Sequence, residues 1–74
     1  MKAITRRLRI LRAERDITQR DTAIKAGLSL SRYWEIENGY RDPDPAEVSA
    51  IARALKATPE NVQPDLSHSS SEVA

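Results

Sequence analysis

The sequence predicts an all-α domain, a compact arrangement of four to five short helices. Three observations predict it. Apolar residues recur at helical spacing in two stretches: Ile4, Leu8 and Leu11 at i, i+4 and i+7, and Val48, Ile51, Ala52 and Leu55 at i, i+3, i+4 and i+7. Thr18, Ser29, Asp44 and Thr58 each stand just ahead of a helical stretch, where a side-chain oxygen can cap the first turn. The two glycines, Gly27 and Gly39, follow the second and third stretches, where a left-handed residue closes a helix.

Taken in order, residues 3–15, AITRRLRILRAER, form the first helix, with the Ile4–Leu8–Leu11 stripe toward a core. Arg6, Arg7, Arg9 and Arg15 lie off that stripe and read as solvent charges. Ile10 is also off it, either incidental or part of a contact surface. Asp16 occupies the following bend, which Asp tolerates in a left-handed conformation, and Ile17 enters the core. Thr18 opens the second helix, with Asp21 three residues on in the manner of a capping box. Gly27 closes that helix. Ser29 caps the third, which runs to Asn38 before Gly39 stops it. Within it Tyr33 and Ile36 turn inward, leaving Leu30, Ser31, Trp34, Glu35 and Asn38 outward. YRDPDP is a loop set by its prolines. Asp44 then caps the fourth helix, Pro45 begins it and Glu47 completes a capping box. Thr58-Pro59-Glu60 starts a short fifth helix through about Val62. The rest is polar, so residues 1–63 form the expected domain and 64–74 a disordered tail, with His68 an incidental residue in it.

Seventy-four residues allow one small domain near the lower limit of independent stability. The chain has no Cys and one His, which excludes disulfides and a Cys-based zinc site; no metal or cofactor is expected. There is no run of transmembrane length and no signal-peptide core, so a cytoplasmic protein is expected. Net charge is only +1, but it is unevenly spread. Residues 1–41 hold ten Lys/Arg against five Asp/Glu, and residues 42–74 hold two against six. The basic part is either a solvated helix surface or an anion-attracting field.

Two helices joined by a short Gly-containing turn make a helix-turn-helix, whose second helix can enter a DNA major groove. The stretch from Thr18 to Gly39, TQRDTAIKAGLSLSRYWEIENG, resembles the helix-turn-helix of the phage lambda repressor and Cro-like (XRE-type) family. The likeness rests on Thr18-Gln19, Ala23, Gly27-Leu28-Ser29 and Glu37-Asn38-Gly39. It extends to Leu8, Leu11 and Arg12 upstream, and to Pro43 and the helix ending near Leu55 downstream, covering roughly residues 4–62. It implies a lambda repressor-like fold in which Arg12 pairs with Glu37 as a structural lock between helices. Asp16 stands where relatives usually carry Gly, Thr22 and Ala26 replace larger aliphatics, and Tyr33 replaces Ile or Val and can refill the lost volume.

The resemblance places Leu30, Ser31 and Glu35 at base-facing positions and puts Gln19 at a helix start that meets phosphate. The expected DNA-facing set is Gln19, Arg20, Ser29, Leu30, Ser31, Arg32, Trp34, Glu35, Asn38, Tyr40 and Arg41. Ser31 can donate or accept, Leu30 can pack on a thymine methyl, and Glu35 can only accept, making cytosine N4 its partner. Arg32 has the reach for phosphate or guanine. Asn38, Tyr40 and Arg41 are placed for backbone phosphates. Trp34 has three readings: a cover for the core edge, a contact to DNA sugars or bases, or part of a protein-binding patch.

The leading expectation is a sequence-specific binder of double-stranded DNA, a transcriptional regulator and repressor of a phage, plasmid or bacterial operon. It would act as a homodimer, at least on DNA, on an inverted repeat with recognition helices roughly 34 Å apart. The alternative is a protein-interaction module such as the antitoxin of a toxin–antitoxin pair, with Ile10, Ile24, Leu30 and Trp34 as its trace. An enzyme is not expected: the sequence offers no Gly-rich phosphate loop and no plausible paired-carboxylate pocket.

Overall fold

The computed structural model describes residues 2–63, and all five elements found there are α-helices. The expected tail lies outside the described residues. Helix α1 spans Ala3–Arg15, α2 Gln19–Ala26, α3 Leu30–Glu37, α4 Pro45–Ala54 and α5 Pro59–Val62. No helix among the described residues is long and apolar enough to cross a membrane.

Local chemistry sets the boundaries. Asp16 ends α1 in the left-handed region (φ 53°), and Ile17 N–H donates back to Arg12 O at 3.0 Å. Thr18 Oγ1 accepts from Asp21 N–H at 3.0 Å at the start of α2. This is half of the expected capping box, because Asp21 makes no return bond among the described residues; its side chain is one methylene shorter than the Glu usual there. Gly27 closes α2 at φ 72°, a conformation that costs an L-residue roughly 1–2 kcal/mol. Ser29 Oγ caps α3 through Arg32 N–H at 3.0 Å. Helix α3 ends one residue earlier than expected, with Asn38 as its C-cap and Gly39 left-handed at φ 83°. A Cβ on Gly39 would lie 3.4 Å from Thr5 Oγ1, an ordinary van der Waals distance, so the exit of α3 faces the first turn of α1. Asp44 and Glu47 form the full capping box of α4, and Thr58 with Asn61 that of α5. Lys56 (φ 54°) turns the chain after α4, a left-handed position that no Gly or Asn marks.

Helix α2 packs on α3 and α4, α4 on α5, and α1 on α3 and α5. Each helix contributes to one core, built from Ile4, Leu8, Leu11, Ala23, Tyr33, Ile36, Val48, Ile51, Ala52, Leu55 and Val62. Ile17, Ala26, Leu28 and Ala57 pack partly buried against it. With Thr22 and Ala23 small at the α2 contact, the fully buried Tyr33 is the largest side chain in the interior. Removing that much apolar area from water is the dominant favourable term in holding the helices together.

Candidate nucleic-acid interface

Helix α3 is held from within by a buried carboxylate. Glu37 is 1% exposed, a placement a charge tolerates only when paired and hydrogen-bonded. Arg12 Nε and Nη2 donate to Glu37 Oε1 and Oε2 at 2.7 and 3.0 Å, a bidentate pair. Tyr33 Oη donates to Oε1 at 2.8 Å and Gln19 Nε2 to Oε2 at 2.8 Å. Four donors thereby meet the roughly four acceptor sites of one carboxylate. Burial alone would raise the Glu37 pKa, but the bonds from Arg12, Gln19 and Tyr33 outweigh it and hold the group below its ordinary value. Burial, followed by the bond to Glu37, pushes the Tyr33 hydroxyl pKa well up. Arg12 Nη1 also donates to Ile17 O at 3.0 Å, so one guanidinium ties α1, the bend after it and α3 together.

The flanks of α3 are pinned by residues whose pairing the sequence did not reveal. Arg32, in the first turn of α3, donates from Nε and Nη2 to Glu47 Oε2 and Oε1 at 2.6 and 2.8 Å. Glu47 is also the capping glutamate of α4, with Oε1 accepting from Asp44 N–H at 2.9 Å. The Arg32 bonds, then the backbone bond from Asp44, hold the Glu47 pKa down. Arg9 Nη2 donates to Asn38 Oδ1 at 2.9 Å, and Asn38 Nδ2 to Trp34 O at 2.9 Å. Arg7 donates to Asn61 O at 2.9 Å, and Arg15 pairs with Glu14 at 3.1 Å. The α1 arginines expected to be plain solvent charges thus include two, Arg7 and Arg9, that bond to neighbouring elements. Lys2 and Asp42 form a further, exposed pair at 2.7 Å.

The outer face of α3 is open. Ser31 is exposed and Glu35 half-buried, with Arg41 Nε donating to Glu35 Oε1 at 3.1 Å. Leu30 and Trp34 are 46% and 45% exposed, neither belonging to the core. The Trp34 ring stacks on Tyr40, centroids 5.4 Å apart and planes 15° from parallel, and Tyr40 is itself 74% exposed. The Trp34 ring thus lies against a second surface aromatic. No local period links residues 34 and 40; the turn at Asn38-Gly39 folds one ring onto the other. Between α2 and α3 lies an open hollow of about 460 Å³, lined by Gln19, Leu30, Ser31, Trp34 and Glu35.

Of the sequence-predicted residues, the structure thus gathers Gln19, Leu30, Ser31, Trp34 and Glu35 around one depression. Tyr40 and Arg41 stand at its edge through Trp34 and Glu35. Arg20 is exposed near the start of α2. Ser29 is engaged as the α3 cap, Arg32 in the clamp to Glu47, and Asn38 in the bridge from Arg9 to Trp34. Glu47 and Arg9 are the supporting residues that sequence reasoning missed.

Residues 3–64 match the helix-turn-helix domain family. The chain is 40% identical over 57 residues to the helix-turn-helix-type transcriptional repressor RghR of Bacillus subtilis (strain 168), a match covering 76% of this chain and 42% of the relative. It is 35% identical over 69 residues to the uncharacterized helix-turn-helix-type transcriptional regulator RghRB of the same organism, covering 92% of this chain and 50% of the relative. The chain spans half or less of the length of these relatives.

Proposed function

The chain belongs to the helix-turn-helix domain family, and from that premise we propose that it binds double-stranded DNA sequence-specifically as a transcriptional regulator, a repressor of a phage, plasmid or bacterial operon. One observation carries the reading. The inner face of α3 is locked by Glu37 and its flanks by Glu47 and Arg9, while its outer face from Leu30 to Glu35 has no partner among the described residues save Arg41 and Tyr40. A surface helix braced on every side but one is a rigid reading head, as a major-groove probe must be. The likeness to the repressor RghR supports the same reading.

In this account Ser31 and Glu35 read base edges, while Arg20, Arg41 and the backbone of Gln19 approach phosphates, the Gln19 side-chain amide being held by Glu37. At the start of α2, Thr18 takes the amides of Asp21 and Thr22, so those of Gln19 and Arg20 are left to meet an outside acceptor. The chain acts without catalysis, as a homodimer on an inverted repeat, with α4, α5 and the loop before them as the pairing surface. The basic half of the sequence makes affinity fall steeply with salt. Selection of preferred duplexes from a random pool tests the reading, followed by retesting with Ser31→Ala and Glu35→Ala. Loss confined to particular base positions supports it. No preferred duplex, or equal weakening of all duplexes, overturns it.

A second reading, a protein-interaction module such as an antitoxin, draws on Ile10 of α1 and Ile24 of α2, which are 39% and 65% exposed. Gel filtration with the product of the adjacent gene tests it: a stable complex lost in Ile24→Asp supports it, and independent elution counts against it.

A further inference from the structure

We propose that the hollow between α2 and α3 reads the C5-methyl group of a pyrimidine, thymine or 5-methylcytosine, with Leu30 and Trp34 as its walls and Tyr40 as the residue that positions Trp34. This rests on the DNA-binding reading and specifies what its central subsite takes.

Leu30 and Trp34 lie four residues apart on α3 and line one depression, yet nearly half of each is exposed. Neither joins the core, so their apolar surface awaits something outside the domain. In the major groove the C5 edge of a pyrimidine is where an apolar group is offered; purine edges and cytosine present only donors and acceptors. The rim narrows the choice further. Glu35 accepts only, so it opposes the N7 and O6 acceptors of guanine, the O4 of thymine and phosphate, and it suits the N4 amino group of a cytosine; a thymine must turn its O4 to Ser31 and away from Glu35. Ser31 can donate to thymine O4 or accept from the N4 amino group of 5-methylcytosine, so the rim admits either methylated pyrimidine. Arg41, 3.1 Å from Glu35, offsets part of the carboxylate charge beside the apolar wall.

The wall is formed before DNA arrives. Tyr40 stacks on Trp34 at 5.4 Å and 15°, and Asn38 Nδ2 bonds to Trp34 O, fixing ring and backbone together. A tryptophan held in this way loses little side-chain freedom on binding, which is how preorganisation becomes affinity.

The test uses the whole chain and a duplex it selects, with thymines replaced one at a time by deoxyuridine and cytosines by 5-methylcytosine. Each change alters one methyl group and nothing else. At one position per bound chain, removing the methyl should weaken binding about fourfold, or adding it to a cytosine should strengthen binding by the same factor. A thymine response and a cytosine response at that position distinguish the two sources. The ratio should fall to about one in Leu30→Ala and in Tyr40→Ala, and persist in Leu30→Met and Tyr40→Phe. Far-UV circular dichroism confirms that each variant is folded. A selected duplex whose binding ignores every methyl, or a ratio that survives Leu30→Ala and Trp34→Ala, overturns the proposal while leaving DNA binding intact. A ratio unchanged in Tyr40→Ala overturns the positioning role. A chain that selects no duplex overturns the DNA-binding reading together with this one.

Discussion

Replacing Arg12 by Met strikes the buried centre of the fold. Glu37 keeps its burial but loses the bidentate bonds at 2.7 and 3.0 Å, retaining only Tyr33 and Gln19 as donors. A charge stranded in this way costs about 3–5 kcal/mol, well above the roughly 0–1 kcal/mol of an exposed pair. Domains of this size are stabilised by only about 0.05–0.15 kcal/mol per residue, so the loss removes much or all of the total. The melting temperature should fall by at least about 12 °C, taking about 4–8 °C per kcal/mol for a domain of this length. The companion change Glu37→Gln removes the charge but turns an amide donor toward the guanidinium. The double variant Arg12→Met/Glu37→Gln strands no ion, and should be more stable than the two single losses together imply by about 1–3 kcal/mol. Urea and thermal unfolding followed by circular dichroism measure all four corners of the cycle. A loss below about 1 kcal/mol in Arg12→Met, with no coupling, would refute the claim that this pair locks α1 to α3.

Acid should unfold the protein partly through the same group. Because the folded Glu37 carboxyl titrates below its unfolded value, its stabilisation is present above about pH 4.3 and drains as pH falls through the lowered folded value. Tyr33 works oppositely: its raised pKa stabilises below about pH 10 and is lost as pH rises beyond that, so Tyr33→Phe should flatten the alkaline limb of a stability–pH curve. Gly27→Ala should cost roughly 1 kcal/mol by denaturant unfolding, since φ is 72° but no atom lies within 4 Å of the added Cβ. Gly39→Ala should cost a similar amount, roughly 1–2 kcal/mol, because φ is 83° and the Cβ would meet Thr5 Oγ1 only at an ordinary contact distance of 3.4 Å; a much larger loss would contradict this fit. Glu47→Ala, remote from the outer face of α3, should weaken binding to all duplexes alike by releasing Arg32; unchanged binding would show that the clamp does not hold the reading helix.

The helix ends were legible because their causes are local. Thr18, Ser29, Asp44 and Thr58 cap through amides three residues away, and Gly27 and Gly39 close helices by their own conformational freedom. The left-handed turn at Asp16 could be inferred from residue type, whereas Lys56 takes the same conformation with no favourable side chain to announce it. The family resemblance pointed to the Arg12–Glu37 pair, which no spacing along one helix would have revealed. Arg32–Glu47, Arg9–Asn38 and Trp34–Tyr40 were not legible, because each depends on how one helix or turn is set against another. Helical periodicity identifies the outward face of α3, but not which outward side chains bond sideways and which remain available. Arg32 shows the difference: its sequence position suits a DNA contact, while its guanidinium is occupied by α4.

Amide chemical-shift mapping of the isotope-labelled chain, titrated with its selected duplex at moderate salt, tests the central claim most directly. The largest changes should fall on residues 18–20 and 29–41, with the Trp34 indole resonance among them. The α4 interior and the exposed Ile24 surface should stay quiet. Changes centred on Ile10 or Ile24, or none at saturating duplex, would contradict an account in which α3 is the reading helix.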